Sequence, residues 1–257
     1  MAKTLAVAGK GGTGKTTIAA LIVDYLITKN MGPVLAIDAD PDSNLGTLLG
    51  ITTGQSIGDL RNEVLEEMKD FPPGMTKANY MEAGLHGIVE EAEGFDLITM
   101  GRGEGSGCYC ALNNLIRKFH ADLTPSYKWV VIDNEAGLEH ISRRTTSNID
   151  ILVVVVNNNP ISLNTAKNIE QITRKLKNPV GKKYLVTNML KEGRRESIKK
   201  LAEETQMEYL FDVPEDEAVE EAIFNSESLR KLNSPAKEGI FFMMEKIGGK
   251  NGNTQGK

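Results

Sequence analysis

The amino-acid sequence predicts a single α/β domain, doubly wound around one mostly parallel sheet of about seven strands. Two observations lead to this prediction. Short apolar runs alternate along the chain with longer runs whose apolar residues recur at helical spacing. A glycine-rich turn, residues 9–14, lies between the first apolar run and the first helical run. The 257 residues are enough to bury a full core.

The glycine-rich turn follows a predicted strand, Thr4 to Ala8, and precedes a helix that begins near Thr16. Its spacing fits the pattern Gly-x4-Gly-Lys-[Ser/Thr], in which backbone N–H groups wrap phosphates and the helix N-terminus favours negative charge. We therefore predict a phosphate-binding loop (P-loop), with Lys15 at the β- and γ-phosphate oxygens and Thr16 at Mg²⁺. The predicted nucleotide-binding residues here are Gly11, Gly12, Thr13, Gly14, Lys15, Thr16 and Thr17.

A second lysine, Lys10, stands at the start of the loop. The run Lys-Gly-Gly-Thr-Gly-Lys-Thr resembles the deviant P-loop of the MinD/ParA/nitrogenase iron-protein group of ATPases. In that group the extra lysine reaches the nucleotide of the partner subunit. The resemblance therefore implies a homodimer that closes on ATP, with Lys10 and Lys15 both in catalysis. The alternative is that Lys10 is a solvated loop charge.

The second predicted strand, residues 34–37, ends in two acids, Asp38 and Asp40. Ligands of open α/β sheets bind at the carboxyl ends of the strands. The stretch resembles switch I of the same ATPases, which implies that Asp38 lies near Mg²⁺ and that Asp40 orients the attacking water. Alternatively, these acids only solvate a loop.

The two cysteines, Cys108 and Cys110, follow a predicted strand, residues 96–100, and a loop with four glycines in residues 101–107. They precede a helical run, and a helix N-terminus favours thiolate. Soft thiolates suit zinc, copper(I) or nickel, and tetrahedral sulfur sites usually need four of them. A two-fold dimer would complete such a set. Two inert small hydrophobes, or a redox-active pair, remain as alternatives.

Another predicted strand, residues 127–133, ends in Asp133 and continues to Gly137. The stretch matches the switch II pattern Asp-x-x-Ala-Gly of the deviant P-loop group. The match implies that Asp133 holds Mg²⁺ through water and that the Gly137 N–H senses the γ-phosphate.

Two longer motifs resemble a more specific family. They are Gly-x-Gly-Cys-Tyr-Cys and, after switch II begins, Asn-Glu-Ala-Gly-x-Glu-His-Ile-Ser-Arg-Arg-Thr. Both look like the CooC-type nickel-insertion ATPases that mature carbon monoxide dehydrogenase and acetyl-CoA synthase, and the resemblance runs from Ala2 to about Ile247. It implies ATP, Mg²⁺ and Ni²⁺, with Zn²⁺ possible at the same cysteines, a homodimer formed on ATP or metal binding, and a nickel enzyme as client. The competing hypotheses are a partition or positioning ATPase and an iron–sulfur carrier.

Further strands are predicted at residues 150–157, 183–188 and 208–211, with a helix at 162–176. Asn188 occupies the place where the deviant P-loop group reads adenine, and Met-Leu after it favours ATP over GTP. Val213 and Pro214 resemble the adenine-side loop. Residues 48–93 are less informative: a helix is expected at 57–68, and residues 80–91 could form a helix or a hairpin.

The composition is that of an ordinary soluble globular protein, with 40% hydrophobic and 25% charged residues. A net charge of −5 argues against a protein that coats nucleic acid. Because no apolar run approaches the roughly 20 residues of a membrane span, we expect a cytoplasmic protein without membrane contacts. The ATPase domain is predicted over residues 1–247, with a disordered tail over 248–257.

Overall fold

In a computed structural model of the protein, the described residues are 2–66, 76–102, 119, 121–136, 149–176 and 178–249. Within them, the strands are β1 Lys3–Gly9, β2 Val34–Ala39, β3 Glu90–Ala92, β4 Phe95–Thr99, β5 Trp129–Ala136, β6 Ile151–Val156, β7 Lys182–Asn188 and β8 Glu208–Val213. The α-helices are α1 Lys15–Thr28, α2 Leu45–Leu49, α3 Ile57–Glu66, α4 Lys77–Gly87, α5 Pro160–Thr173, α6 Arg195–Thr205, α7 Glu217–Phe224 and α8 Pro235–Gly249. Two short 3-10 helices span Thr124–Ser126 and Leu229–Lys231.

The strands form one sheet in the order β3-β4-β2-β5-β1-β6-β7-β8. All neighbouring strands pair in parallel except β3, which pairs antiparallel with β4. The mostly parallel sheet is confirmed, with eight strands among the described residues where about seven were predicted. The eighth strand is the three-residue β3, which is too short to show an alternating pattern in the sequence.

Helices cover both faces of the sheet, as the doubly wound prediction requires. Alternate residues of each central strand point to opposite faces: in β1, Leu5 and Val7 join the core under α1 and α8, whereas Ala6 and Ala8 join the core under α3, α4, α5 and α6. The central strands are therefore buried on both sides.

Several predicted boundaries change. Residues 80–91, left open between helix and hairpin, contain the end of α4 and the start of a hairpin made by β3 and β4. Helix α8 ends at Gly249, two residues beyond the predicted end of the domain, and the rest of the predicted tail lies outside the described residues. Cys108, Cys110 and Gly137 also lie outside the described residues.

Candidate functional site

Those predicted site residues that the structure describes lie at the carboxyl edge of the sheet, where the parallel strands end side by side. From one side to the other, this edge carries the chain leaving β4 towards the cysteines, switch I after β2, Asp133 near the end of β5, the P-loop after β1, and Asn188 at the end of β7. Val213 and Pro214, at the end of β8, complete the row. The arrangement matches the edge at which open α/β sheets bind ligands.

The P-loop wraps around the carbonyl oxygen of Lys10. This oxygen accepts hydrogen bonds from the Thr13 backbone N–H (3.3 Å), the Thr13 hydroxyl (2.8 Å) and the Lys15 ammonium (3.5 Å). Lys15 is only 5% exposed, while Gly11 and Gly12 are exposed. The loop is therefore closed by its own contacts and presents its glycine backbone outward.

The N-terminus of α1 fits an anionic ligand. Gly14 precedes the helix in a left-handed conformation, with φ of 87°, and no described side chain caps the helix or places a carboxylate in its first turn. The first N–H groups and the positive end of the helix dipole are then available to phosphate oxygens. The position also excludes a side chain, because a Cβ at Gly14 would lie 2.3 Å from Asn188 Nδ2.

Asn188 is held against the P-loop. Its Nδ2 donates to the Thr13 carbonyl at 3.0 Å, and the side chain is buried. The predicted adenine contact thus lies beside the phosphate loop, and the same amide supports the loop's shape. At the neighbouring strand end, Val213 is buried and accepts from the Met189 N–H (2.9 Å), while Pro214 is exposed.

Asp38 organises the switch I loop. Its Oδ1 accepts from the Asp40 N–H (3.1 Å) and its Oδ2 from the Leu45 N–H (2.9 Å). Burial raises the pKa of Asp38 to about 6, while these two hydrogen bonds oppose the shift. Asp40 is half-buried, and its Oδ1 accepts from the Asp42 N–H at 3.1 Å.

Asp133 faces Asp38 across the β2–β5 pair and is fully buried. Neither of its oxygens accepts a hydrogen bond of good geometry from a described residue. Burial raises the pKa of Asp133 to about 7; the nearby Thr16 hydroxyl and the Lys15 ammonium favour the charged form, and Asp38 disfavours it.

An unpartnered buried carboxylate is costly unless a cation compensates it. Oxygen ligands from Asp38, Asp133 and Thr16, next to a phosphate loop, are the donor set that Mg²⁺ prefers. The residues present therefore fit the predicted magnesium site. Within the described ranges, no group of three or more His, Cys, Asp or Glu side chains is placed to hold a metal ion.

Lys10, which the sequence resemblance assigns to the nucleotide of a partner subunit, is half-buried at the start of the loop. Its Nζ lies 3.4 Å from the Gly11 carbonyl of its own chain.

Two asparagines of this edge were missed by the sequence reasoning. Asn134 is buried and its Nδ2 donates to the Val7 carbonyl at 2.9 Å, which ties the end of β5 to β1. Asn158 donates to the Met189 carbonyl (2.6 Å) and accepts from the Lys191 N–H (2.8 Å), which joins the loops after β6 and β7. Three consecutive asparagines after the apolar run of β6 were the available signal.

No described helix is both long and apolar enough to cross a membrane. The apolar residues near the end of α8 are mostly inside: Ile240, Met243 and Met244 pack in the core, and Phe242 is half exposed.

The sequence matches the family described as the CobQ/CobB/MinD/ParA nucleotide binding domain over residues 4–229. An uncharacterized ATP-binding protein of Methanocaldococcus jannaschii is 38% identical over 245 residues, which cover 95% of this chain and 96% of that protein. The carbon monoxide dehydrogenase accessory protein CooC of Rhodospirillum rubrum is 33% identical over 183 residues, covering 67% of this chain and 69% of CooC.

Solved structures share the fold at lower identity. A ParA family ATPase from Chlorobium tepidum has a TM-score of 0.70 at 20% identity, covering 95% of this chain and 99% of its own. The septum site-determining protein MinD of Pyrococcus horikoshii, solved with Mg-ADP, has a TM-score of 0.69 at 18% identity and covers 98% of each chain.

Proposed function

We propose that this chain, which belongs to the CobQ/CobB/MinD/ParA family of nucleotide-binding domains, is an ATP-hydrolysing nickel metallochaperone. Two subunits would hold nickel between them and deliver it to the active-site cluster of carbon monoxide dehydrogenase or acetyl-CoA synthase. The likeness to the carbon monoxide dehydrogenase accessory protein CooC supports this more specific activity.

The observation that carries the proposal is the order of chain segments at the carboxyl edge. Strand β4, whose chain continues towards Cys108 and Cys110, pairs directly with β2, whose end forms switch I. The Met100 N–H, just after β4, donates to the Asp38 carbonyl at 2.8 Å. A segment with two thiols therefore starts beside the loop that contacts Mg²⁺ in related ATPases, which suits a protein that couples nucleotide turnover to metal release.

For hydrolysis, positioning and charge neutralisation carry most of the rate enhancement. Lys15 would contact the β- and γ-phosphate oxygens, and Asp40 would orient the attacking water. Asp38, Asp133 and Thr16 would hold Mg²⁺, which when bound neutralises charge on the phosphate oxygens. Gly137 and Lys10 would act on the γ-phosphate, Gly137 from the same subunit and Lys10 from the partner.

For nickel, one chain supplies only two thiolates, so a site of four needs both subunits. Closing of the dimer on ATP would bring the two pairs together, and hydrolysis would separate them. Nucleotide can drive this change only if it binds the closed state more tightly than the open state. Zinc suits the same thiolates, because selectivity depends on geometry and availability.

Nickel titration with sedimentation, each with and without ATP, tests the proposal. We expect about one nickel per dimer in the wild-type protein, as two half-sites on a two-fold axis require. The double variant Cys108→Ser/Cys110→Ser should lose this nickel yet still hydrolyse ATP. Lys15→Ala is the converse control, since it should lose hydrolysis and keep both thiols.

Unchanged nickel binding by the double cysteine variant would remove the thiol site from the proposal. Dimers that form on ATP with no effect of nickel would favour a partition or positioning ATPase. A visible absorption band after oxygen-free purification, lost with the cysteines, would favour an iron–sulfur carrier.

A further inference from the structure

The start of α3 packs tightly against the chain that leaves β4 towards the cysteines. The Gly58 N–H donates to the Met100 carbonyl at 2.9 Å. A Cβ at Gly58 would lie 2.3 Å from the Arg102 carbonyl oxygen, and one at Gly101 would lie 2.1 Å from Ser56 Oγ. Because neither position has room for a side chain, the backbone of residues 100–102 lies in close contact with the start of α3.

Met100 is also bonded to switch I. Its N–H donates to the Asp38 carbonyl at 2.8 Å, and the Asp38 carboxyl accepts from the Asp40 and Leu45 N–H groups. Hydrogen bonds thus run without a gap from the switch I loop through Asp38 and Met100 to Gly58. We call this path the Asp38–Met100–Gly58 chain.

The start of α3, at one end of this path, is held by a helix cap and by core packing. Ser56 and Asp59 form a capping box: Ser56 Oγ accepts from the Asp59 N–H (3.1 Å), and Asp59 Oδ2 accepts from the Ser56 N–H (3.0 Å). The next turns of α3 bury Ile57, Leu60 and Val64 in the core. The start of α3 is therefore anchored to the core as well as bonded to Met100.

The ion pair between Arg102 and Asp42 spans the same gap but is weak. The two charged groups are 3.8 Å apart, and their side chains are 67% and 71% exposed. Exposed pairs of this kind contribute little because water and salt screen them. The backbone contacts, and not this ion pair, hold the two loops together.

We propose that Gly58 and Met100 are positioning residues that transmit the nucleotide state of switch I to the segment that holds the cysteines. When ligands change what the Asp38 oxygens contact, the Asp38 backbone shifts with Met100, and residues 101–102 shift against Gly58. Nucleotide and metal then change each other's affinity by one shared coupling free energy. The metal part of this inference rests on the proposed function, whereas the coupling of switch I to residues 100–102 does not.

Amide hydrogen exchange of the wild-type protein tests the coupling without any metal. Adding Mg²⁺ and a non-hydrolysable ATP analogue should slow exchange of the Met100 and Gly58 amides by at least about fivefold, since both donate within the chain of bonds. Lys15→Ala, which should not hold the analogue, should show no such change. Equal exchange at both amides with and without the analogue would overturn the inference.

A glycine variant tests the coupling to metal. Gly58→Ala introduces a Cβ against Arg102, whereas the control Gly87→Ala, at the end of α4, meets no atom within 4 Å. We expect ATP to change the nickel dissociation constant of the wild-type protein about tenfold, and the same change in Gly87→Ala. In Gly58→Ala, ATP should change the nickel dissociation constant by less than about twofold, while nickel stoichiometry and phosphate release persist.

If ATP changed the nickel dissociation constant of a folded Gly58→Ala protein as much as it does that of the wild type, the inference would be overturned. Should that variant not fold, the exchange measurement on wild-type protein decides alone. Absence of cysteine-dependent nickel in the wild-type protein would refute the proposed function, and the exchange result would still stand for or against the Asp38–Met100–Gly58 chain.

Discussion

Replacing Asp133 by asparagine should make the nucleotide-free protein more stable at alkaline pH relative to the wild type, although it removes a predicted magnesium ligand. Burial raises the pKa of Asp133 from 3.8 to about 7. For an acid whose pKa is raised on folding, the stability contribution is full below the unfolded pKa and is lost as the pH rises through the folded pKa. Above about pH 7 the loss reaches about 4 kcal/mol, from about three pKa units at about 1.4 kcal/mol each.

The pH dependence isolates the charge from the other effects of the substitution. Any packing cost of asparagine is the same at every pH, so it cancels when two pH values are compared. Linkage predicts that the free energy of unfolding of Asp133→Asn, relative to that of the wild type, rises by about 2 kcal/mol between about pH 5.5 and about pH 8.5. Urea unfolding in the presence of a chelator, followed by fluorescence of the single tryptophan, Trp129, measures the two free energies of unfolding.

Asp42→Asn is the matched control, because the Asp42 side chain is 71% exposed and is in contact with water before and after unfolding. If the stability difference between Asp133→Asn and the wild type changed with pH no more than that of Asp42→Asn, the argument that burial of an uncompensated charge destabilises the empty site would be refuted.

Three further predictions concern single side chains. Lys15→Ala should abolish phosphate release, whereas Lys29→Ala, just beyond the other end of α1, should not change it; full activity of the Lys15 variant would contradict the P-loop assignment. Asn188→Leu leaves the Thr13 carbonyl without its donor and should cost about 1 to 2 kcal/mol of ATP affinity by calorimetry. Unchanged affinity would show that this amide does not support the loop. Burial works to raise the pKa of Asp216, but hydrogen bonds, first from the Ala236 N–H, together lower it. Asp216→Ala should therefore lower the free energy of unfolding by about 1 to 2 kcal/mol at neutral pH, and by less as the pH falls through the lowered pKa. A loss that stays constant at acidic pH would contradict this role.

Local patterns predicted most of the fold and the strand ends at which the described candidate site residues lie. The P-loop follows from spacing within about ten residues, because a glycine turn, a helix start and a buried strand are each determined by neighbouring residues. The acids of both switches stand at predicted strand ends, and the roles assigned to them come from the resemblance to the deviant P-loop ATPases. The short strand β3 was not predicted, because three residues at the edge of the sheet are too few to show an alternating apolar pattern. The contacts of Asn134 and Asn158 were not predicted because their partners, on β1 and in the loop after β7, are distant in the sequence.

The sequence by itself determined which segments are candidates to bind phosphate and metal, since the chemistry of lysine, carboxylate and thiolate at those positions does not depend on the rest of the fold. Only the tertiary structure decided which segments are neighbours. Apolar runs of similar length are nearly interchangeable as central strands, so the hydrogen bonds that select β2 as the partner of β4 cannot be derived from periodicity. That pairing places the chain leading to the cysteines beside switch I, where the Met100 N–H donates to the Asp38 carbonyl, and the proposed coupling of nucleotide to metal rests on it.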